Sequence, residues 1–306
     1  MSSVTSVSEE HGDKSRSWLS RRPLLGFFLL AFAWTWGIIL FAILMMNLGV
    51  FSDDAPLVAI LSNLAPYGPA VAALAVSAAL GGRAGVGSLL SQLNPRRAGL
   101  GWYFLALLAP PLILILAETA VYGAVPLTAF AQQWTSVFPQ YLLFAMTIML
   151  LTTGLGEELG WRGFALSRLQ TRYGPALGIF ILGVLSSLWH LPNAIAKPGG
   201  LLEFGLLTVN TIINAYIFSW AYNSSNRSVL IAALAHSAFN TSSWLLTNLV
   251  PVVNMTQFSL HIYMVANVVM GLVALLIAVL TRGRFGAPES KPDREAISPA
   301  QARPDD

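Results

Sequence analysis

Residues 23–281 carry only 14 charged side chains in 259 positions, whereas the 47 residues that flank them carry 17. A soluble domain needs roughly 25% charged residues to cover its surface. A chain this poor in charge must turn apolar side chains outward, and the solvent that accepts them is lipid. Set against a threshold of about 18 consecutive apolar residues, the sequence divides into spans near Leu24–Leu48, Leu57–Leu80, Trp102–Tyr122, Tyr141–Glu157, Pro175–Leu191, Leu202–Tyr222, Val229–Val250 and Ile262–Leu280. The expected fold is all-α, a polytopic membrane helix bundle of about eight transmembrane helices.

The basic residues test that count. If the spans alternate, Lys14, Arg16, Arg21, Arg22, Arg83, Arg96, Arg97, Arg162, Arg168, Arg172, Arg227 and five tail residues fall on one side, and Lys197 alone on the other. Loops rich in Lys and Arg remain cytoplasmic, so both termini are expected in the cytoplasm, with the protein integral to a bacterial-type plasma membrane. Residues 1–22 and 282–306 are polar and charged, and are expected to be flexible cytoplasmic tails around a membrane-embedded domain at 23–281. Arg21-Arg22 before an apolar run resembles an export signal, but the run from Leu24 to Val50 is too long for one. The basic residues are scattered over loops rather than clustered, which argues against nucleic acid as a partner. With no cysteine in the chain, thiolate metal sites and a cysteine nucleophile are excluded.

An ionisable group at the centre of a span costs at least ~2.5 kcal/mol, so each one asks for a partner and a purpose. In Gly156-Glu157-Glu158-Leu159-Gly160-Trp161-Arg162, a continuing helix places Glu158 and Arg162 on one face in the favourable order for an ion pair. Glu157 lies about 100° around the helix and cannot share that arginine equally. Glu158 then reads as a positioning residue and Glu157 as a base. His190 ends the fifth span, and His236 and Asn240 share a helix face in the seventh. Each alone reads as interhelical hydrogen bonding. Together, on separate helices, they are the material from which bundles build polar sites.

Two hydrolytic schemes fit. In one, Glu157 and His190 activate water while His236 and Asn240 donate to an oxyanion. In the other, Glu157, His190 and His236 form a His₂Glu zinc set. A difficulty of depth remains, because counting from the cytoplasmic helix ends puts His236 about 12 Å and His190 about 22 Å into the membrane. Glu118, Asn210 and Asn214 are assigned to interhelical hydrogen bonds, with snorkelling an alternative for Glu118 and lining of the cavity an alternative for Asn214.

These residues resemble the CAAX prenyl protease and bacteriocin-processing (CPBP, or Abi) family of intramembrane proteases. Its Glu-Glu-x-x-x-Arg motif is matched by Glu157, Glu158 and Arg162, its Phe-x-x-x-His motif at His190 only, and its His-x-x-x-Asn motif by His236 and Asn240. Ser186 stands where the family usually has Phe. The resemblance covers about residues 140–245 in detail and the remainder by helix number. It implies an intramembrane endopeptidase acting on a membrane-associated, lipidated or transmembrane, protein or peptide, with Glu157 and His190 activating water and His236 and Asn240 at the oxyanion. Metal and glutamate mechanisms both stay open, with zinc the metal concerned. The alternatives are a catalytically silent regulator or bacteriocin-immunity protein, and an ion-coupled transporter, for which the paired inverted repeats are absent.

Overall fold

The computed structural model describes residues 18–52, 54–195, 200–247, 249 and 255–288. These form helices and turns, with no strand among the described residues. After a helical turn at Trp18–Arg21, eight helices follow: α1 Pro23–Asn47, α2 Pro56–Leu93, α3 Leu100–Tyr122, α4 Val125–Tyr173, α5 Pro175–Trp189, α6 Gly200–Ser224, α7 Val229–Thr247 and α8 Met255–Leu280. All but α5 are long and apolar enough to cross a membrane, and α5 is apolar but only 15 residues long. The chain is an integral membrane protein. Most of the polar tails and Lys197 lie outside the described residues.

Three helices differ from the sequence expectation, the first being α2, which kinks at Gly81 and Gly82 and runs on past Leu80 to Leu93. The fourth span was expected from Tyr141, yet α4 begins at Val125 and runs 49 residues to Tyr173. Gln132, Gln133, Ser136 and Pro139 dilute the hydropathy of its first half without ending the helix. The fifth stops at Trp189, because Pro192 has no N–H to offer the carbonyl of Leu188, and the chain restarts as the short helix Leu191–Ile195. The segment after α8 also departs from a flexible tail: Phe285 is buried, its ring 4.7 Å from that of Tyr216, and its carbonyl accepts from Asn223 Nδ2 at 2.9 Å. One large apolar side chain among the charges is enough to dock those residues.

At the centre is α7. In its apolar stretch 72% of residues are buried, against 17–33% for the six other long helices. Ala232, Ala233, Ala235, Ser237 and Ala238 give it slender faces, which let α3, α4 and α6 surround it. The stretch of α4 carrying the paired glutamates crosses α2 closely. A β-carbon on Gly156 would lie 3.0 Å from the Pro66 carbonyl oxygen, and one on Gly160 would lie 2.5 Å from the carbonyl carbon of Pro69. This Gly-x-x-x-Gly pair makes the approach possible, as small residues do between membrane helices. Gly160→Ala should therefore destabilise the folded protein by about 1–3 kcal/mol through overpacking. Gly37→Ala, where nothing lies within 4 Å, should be close to neutral. Chemical unfolding in mild detergent checks both.

Candidate active site

Helix α4 is not regular where it matters. Its backbone breaks at Thr147, turns π-helical over Leu150–Gly154, returns to α geometry over Leu155–Gly160 and is π-helical again over Trp161–Leu166. Such bulges are frequent at functional sites because they redirect side chains within a helix. Between the two bulges sit Glu157 and Glu158, 3% and 0% exposed. Glu158 turns toward Arg162, whose Nη1 donates to Glu158 Oε1 at 2.8 Å. The same oxygen accepts from His236 Nδ1 at 2.8 Å, across 78 residues of sequence. Glu157 points elsewhere and accepts from the indole Nε1 of Trp161 at 3.4 Å. The division between the two carboxylates read from the sequence is thus present in their contacts.

His236 is clamped on a second side. Phe218 of α6 stacks on its ring at 5.3 Å between centroids and also lies 5.5 Å from the guanidinium carbon of Arg162. With Nδ1–H given to Glu158, Nε2 is the ring atom left for chemistry. Asn240, one turn on, donates from Nδ2 to Thr153 Oγ1 of α4 at 3.4 Å. His190 sits just past the end of α5. Its Nδ1 donates to the carbonyl of Ser186 at 2.8 Å, and Trp36 Nε1 of α1 donates at 3.0 Å to the carbonyl of Trp189. Both contacts satisfy carbonyls that the helix end would otherwise leave unpaired.

The difficulty of depth resolves through two glycines. Gly163 of α4 is level with Val229 at the start of α7, whereas Gly178 of α5 is level with Leu169 and Gln170, further along α4. Helix α5 therefore begins deeper on the loop side than α7. Counted from the level of Gly163, His236 is about 10 Å and His190 about 8 Å along the bundle.

Glu157, His190, His236 and Asn240 indeed line one cavity of about 150 Å³, with Thr153, Trp161, Arg162 and Ser186. Asn210 and Asn214 line it as well, bonded to each other at 2.8 Å. The sequence marked both as interhelical glue and Asn214 alone as a residue that could line the cavity; their i, i+4 spacing was the signal for taking the two together. A second cavity of about 240 Å³ meets the first at Thr153, Glu157 and His190, and is walled mostly by apolar side chains of α1 and α2, among them Ile39, Ile43, Leu61 and Pro66. Glu118 lies apart. It is fully buried, so it does not snorkel, and pairs with His261 Nε2 at 2.9 Å.

The zinc set does not assemble. Among the described residues no three His, Asp or Glu side chains gather closely enough to hold a metal ion.

An α-helical membrane bundle enclosing a buried Glu-Glu-Arg, His and His-Asn cavity is the class this structure defines. Residues 138–242 match the family model described as Type II CAAX prenyl endopeptidase Rce1-like. The chain is also 30% identical over 106 residues to CAAX prenyl protease 2 of Methanococcus maripaludis, a match covering 32% of this chain and 39% of that protein. These matches support the CPBP family, and the family model spans the segment that holds all three motifs. The aligned stretch spans about two fifths of that relative's length.

The triad Arg162–Glu158–His236 should behave as a coupled unit. Arg162→Leu, which strands a buried carboxylate, should cost about 3–5 kcal/mol. The double variant Glu158→Leu/Arg162→Leu should cost less than that single change, and a double-mutant cycle on unfolding in mild detergent measures the difference.

Proposed function

We propose that the protein is an intramembrane endopeptidase that hydrolyses a peptide bond of a membrane-associated protein or peptide. The observation that carries this reading is the convergence of Glu157, His190, His236 and Asn240 on one cavity from three separate parts of the chain. Glu157 and His190, which border both cavities, take a proton from a water molecule as its oxygen attacks the scissile carbonyl. In its protonated form His236 donates from Nε2, and Asn240 from its amide, to the oxyanion that develops. The proton held by Glu157 and His190 then passes to the departing amine as the carbon–nitrogen bond breaks. Glu158 is a positioning residue that accepts from Nδ1–H of His236 and so orients the ring with Nε2 free. No step is routed through a metal, since the donors are not gathered for one.

The apolar second cavity supports a substrate with a hydrophobic portion, a lipid chain or an apolar segment, lying between α1 and α2 while the peptide bond enters the polar cavity. Because the relative bears the name of a CAAX prenyl protease, a prenylated C-terminal peptide is the first substrate to try, beside transmembrane peptides. The charge asymmetry of the loops supports a site reached from the cytoplasm, with both termini there, in a domain spanning 23–281 of a bacterial-type plasma membrane.

Purified protein offered such peptides should cut them. Glu157→Gln and His190→Ala should each lower kcat about 10²–10⁴-fold, and Asn240→Ala about 10²–10³-fold. Mass spectrometry of the products reads both the rate and the bond cut. Equal activity in wild type and Glu157→Gln would sink the assignment. Treatment with a chelator should leave the rate unchanged, whereas activity that returns only with added Zn²⁺ would replace the glutamate scheme by a metal one.

A further inference from the structure

On the face of the bundle that carries the arginine-rich loops, a third cavity of about 320 Å³ has walls from four regions of the chain. Arg97 comes from the loop between α2 and α3, Arg168 from α4 and Arg227 from the turn between α6 and α7, and they are joined by Ser77, Ser88, Ser91, Ser167, Gln92 and Tyr222. None of the lining residues is acidic. The positive-inside rule accounts for arginines on these loops. It does not account for three of them, 71 and 59 residues apart in sequence, converging on one hydroxyl-lined hollow without a carboxylate.

Two of the three guanidiniums are fixed in place. Arg97 donates from Nε to Ser91 O at 2.9 Å and from Nη1 to Asn226 O at 3.0 Å. Arg168 lies 3.8 Å over the Phe164 ring and donates from Nη1 to the Phe164 carbonyl at 2.7 Å. Each keeps further N–H groups for another acceptor, since a guanidinium has five. Arg227 is presented by a turn in which both it and Asn226 take left-handed backbone conformations, φ 55° and 56°. That conformation is uncommon for arginine, and Arg97 holds the turn through the Asn226 carbonyl. Arg168 also borders a neighbouring hollow of about 510 Å³, shared with Arg21, Arg22, Leu24, Leu25 and Arg172, where apolar side chains meet a second set of guanidiniums.

We propose that the cavity of Arg97, Arg168 and Arg227 binds a phosphate-bearing anion. Guanidinium forks and hydroxyls are the donors that recognise phosphate oxygens, and basic pockets between membrane helices take anionic headgroups. The phosphate comes from the headgroup of an anionic phospholipid or from free phosphate in solution. This inference is independent of the protease reading, because no residue of the catalytic cavity is among its ligands.

The full chain, in nanodiscs of phosphatidylcholine with increasing phosphatidylglycerol, is examined by native mass spectrometry for retained lipid, and in parallel with inorganic phosphate in pure phosphatidylcholine. Wild type should retain an anionic lipid, or phosphate, saturably. Arg168→Gln/Arg227→Gln should weaken that binding about 10-fold or more, at roughly a factor of five per lost charge. Arg83→Gln, which removes a charge on the same face outside the cavity, should change it less than about 2-fold. Arg227→Gln alone, the change of a side chain with no hydrogen bond among the described residues, serves if the double variant does not fold, and should weaken binding about 5-fold. Retention in the lipid arm alone identifies the headgroup, and saturation by inorganic phosphate identifies the free ion. Equal losses in Arg83→Gln and the cavity variants, or no saturable binding of either probe, would overturn the proposal.

Discussion

A single carboxylate oxygen, Glu158 Oε1, takes hydrogen bonds from both Arg162 and His236 at 2.8 Å in a fully buried position. A lone charge at such a place in a membrane bundle is untenable, so the three groups exist only together. Because Arg162 and Glu158 belong to α4 and His236 to α7, satisfying the charge fixes two helices against each other. The polar cavity inherits that registration: α7 cannot slide without breaking the bond, and with it Asn240 keeps its contact to Thr153 on the first π-helical segment.

The same constraint explains why adjacent glutamates differ. Glu158 is consumed by structure, and Glu157, rotated away from Arg162, has the weaker contact from Trp161 and borders both cavities. The helix passes closely across α2 at Gly156 and Gly160, and Pro66, against which Gly156 packs, is itself a wall of the second cavity that Glu157 and His190 border. Small residues thus act on the site from a distance, by setting how near backbones approach.

Much of this was legible before any coordinates. The Glu158–Arg162 pair follows from helical period alone, and the eight apolar segments follow from charge depletion. Contacts between segments were not legible in the same way. Nothing local announces that His236 bonds to Glu158, and the i, i+4 spacing of Asn210 and Asn214 marks a shared face without saying what it faces, since both depend on how α6 and α7 rotate when packed. The apparent mismatch in depth of His190 and His236 arose from assuming that all helices start at one level. Helix α4 runs on to Tyr173 before Gly174 turns the chain, and α5 starts correspondingly lower. The first half of α4 was missed because glutamines weaken a hydropathy window but do not weaken a helix.

Ser186 is the position where this chain leaves the family pattern, and the structure gives the departure a physical meaning. A helix that stops inside a membrane protein leaves carbonyls without partners, which is tolerated only where protein or a cavity satisfies them. Here His190 itself takes the Ser186 carbonyl, and Trp36 takes that of Trp189. The bond that orients His190 is made to the backbone of residue 186 and is therefore indifferent to its side chain. What a serine changes is the cavity wall, which it lines in place of a ring. The orientation of the histidine and the shape of the space before it are set by different atoms of one residue, so a change of side chain at 186 alters the cavity wall and leaves the bond to the His190 ring in place.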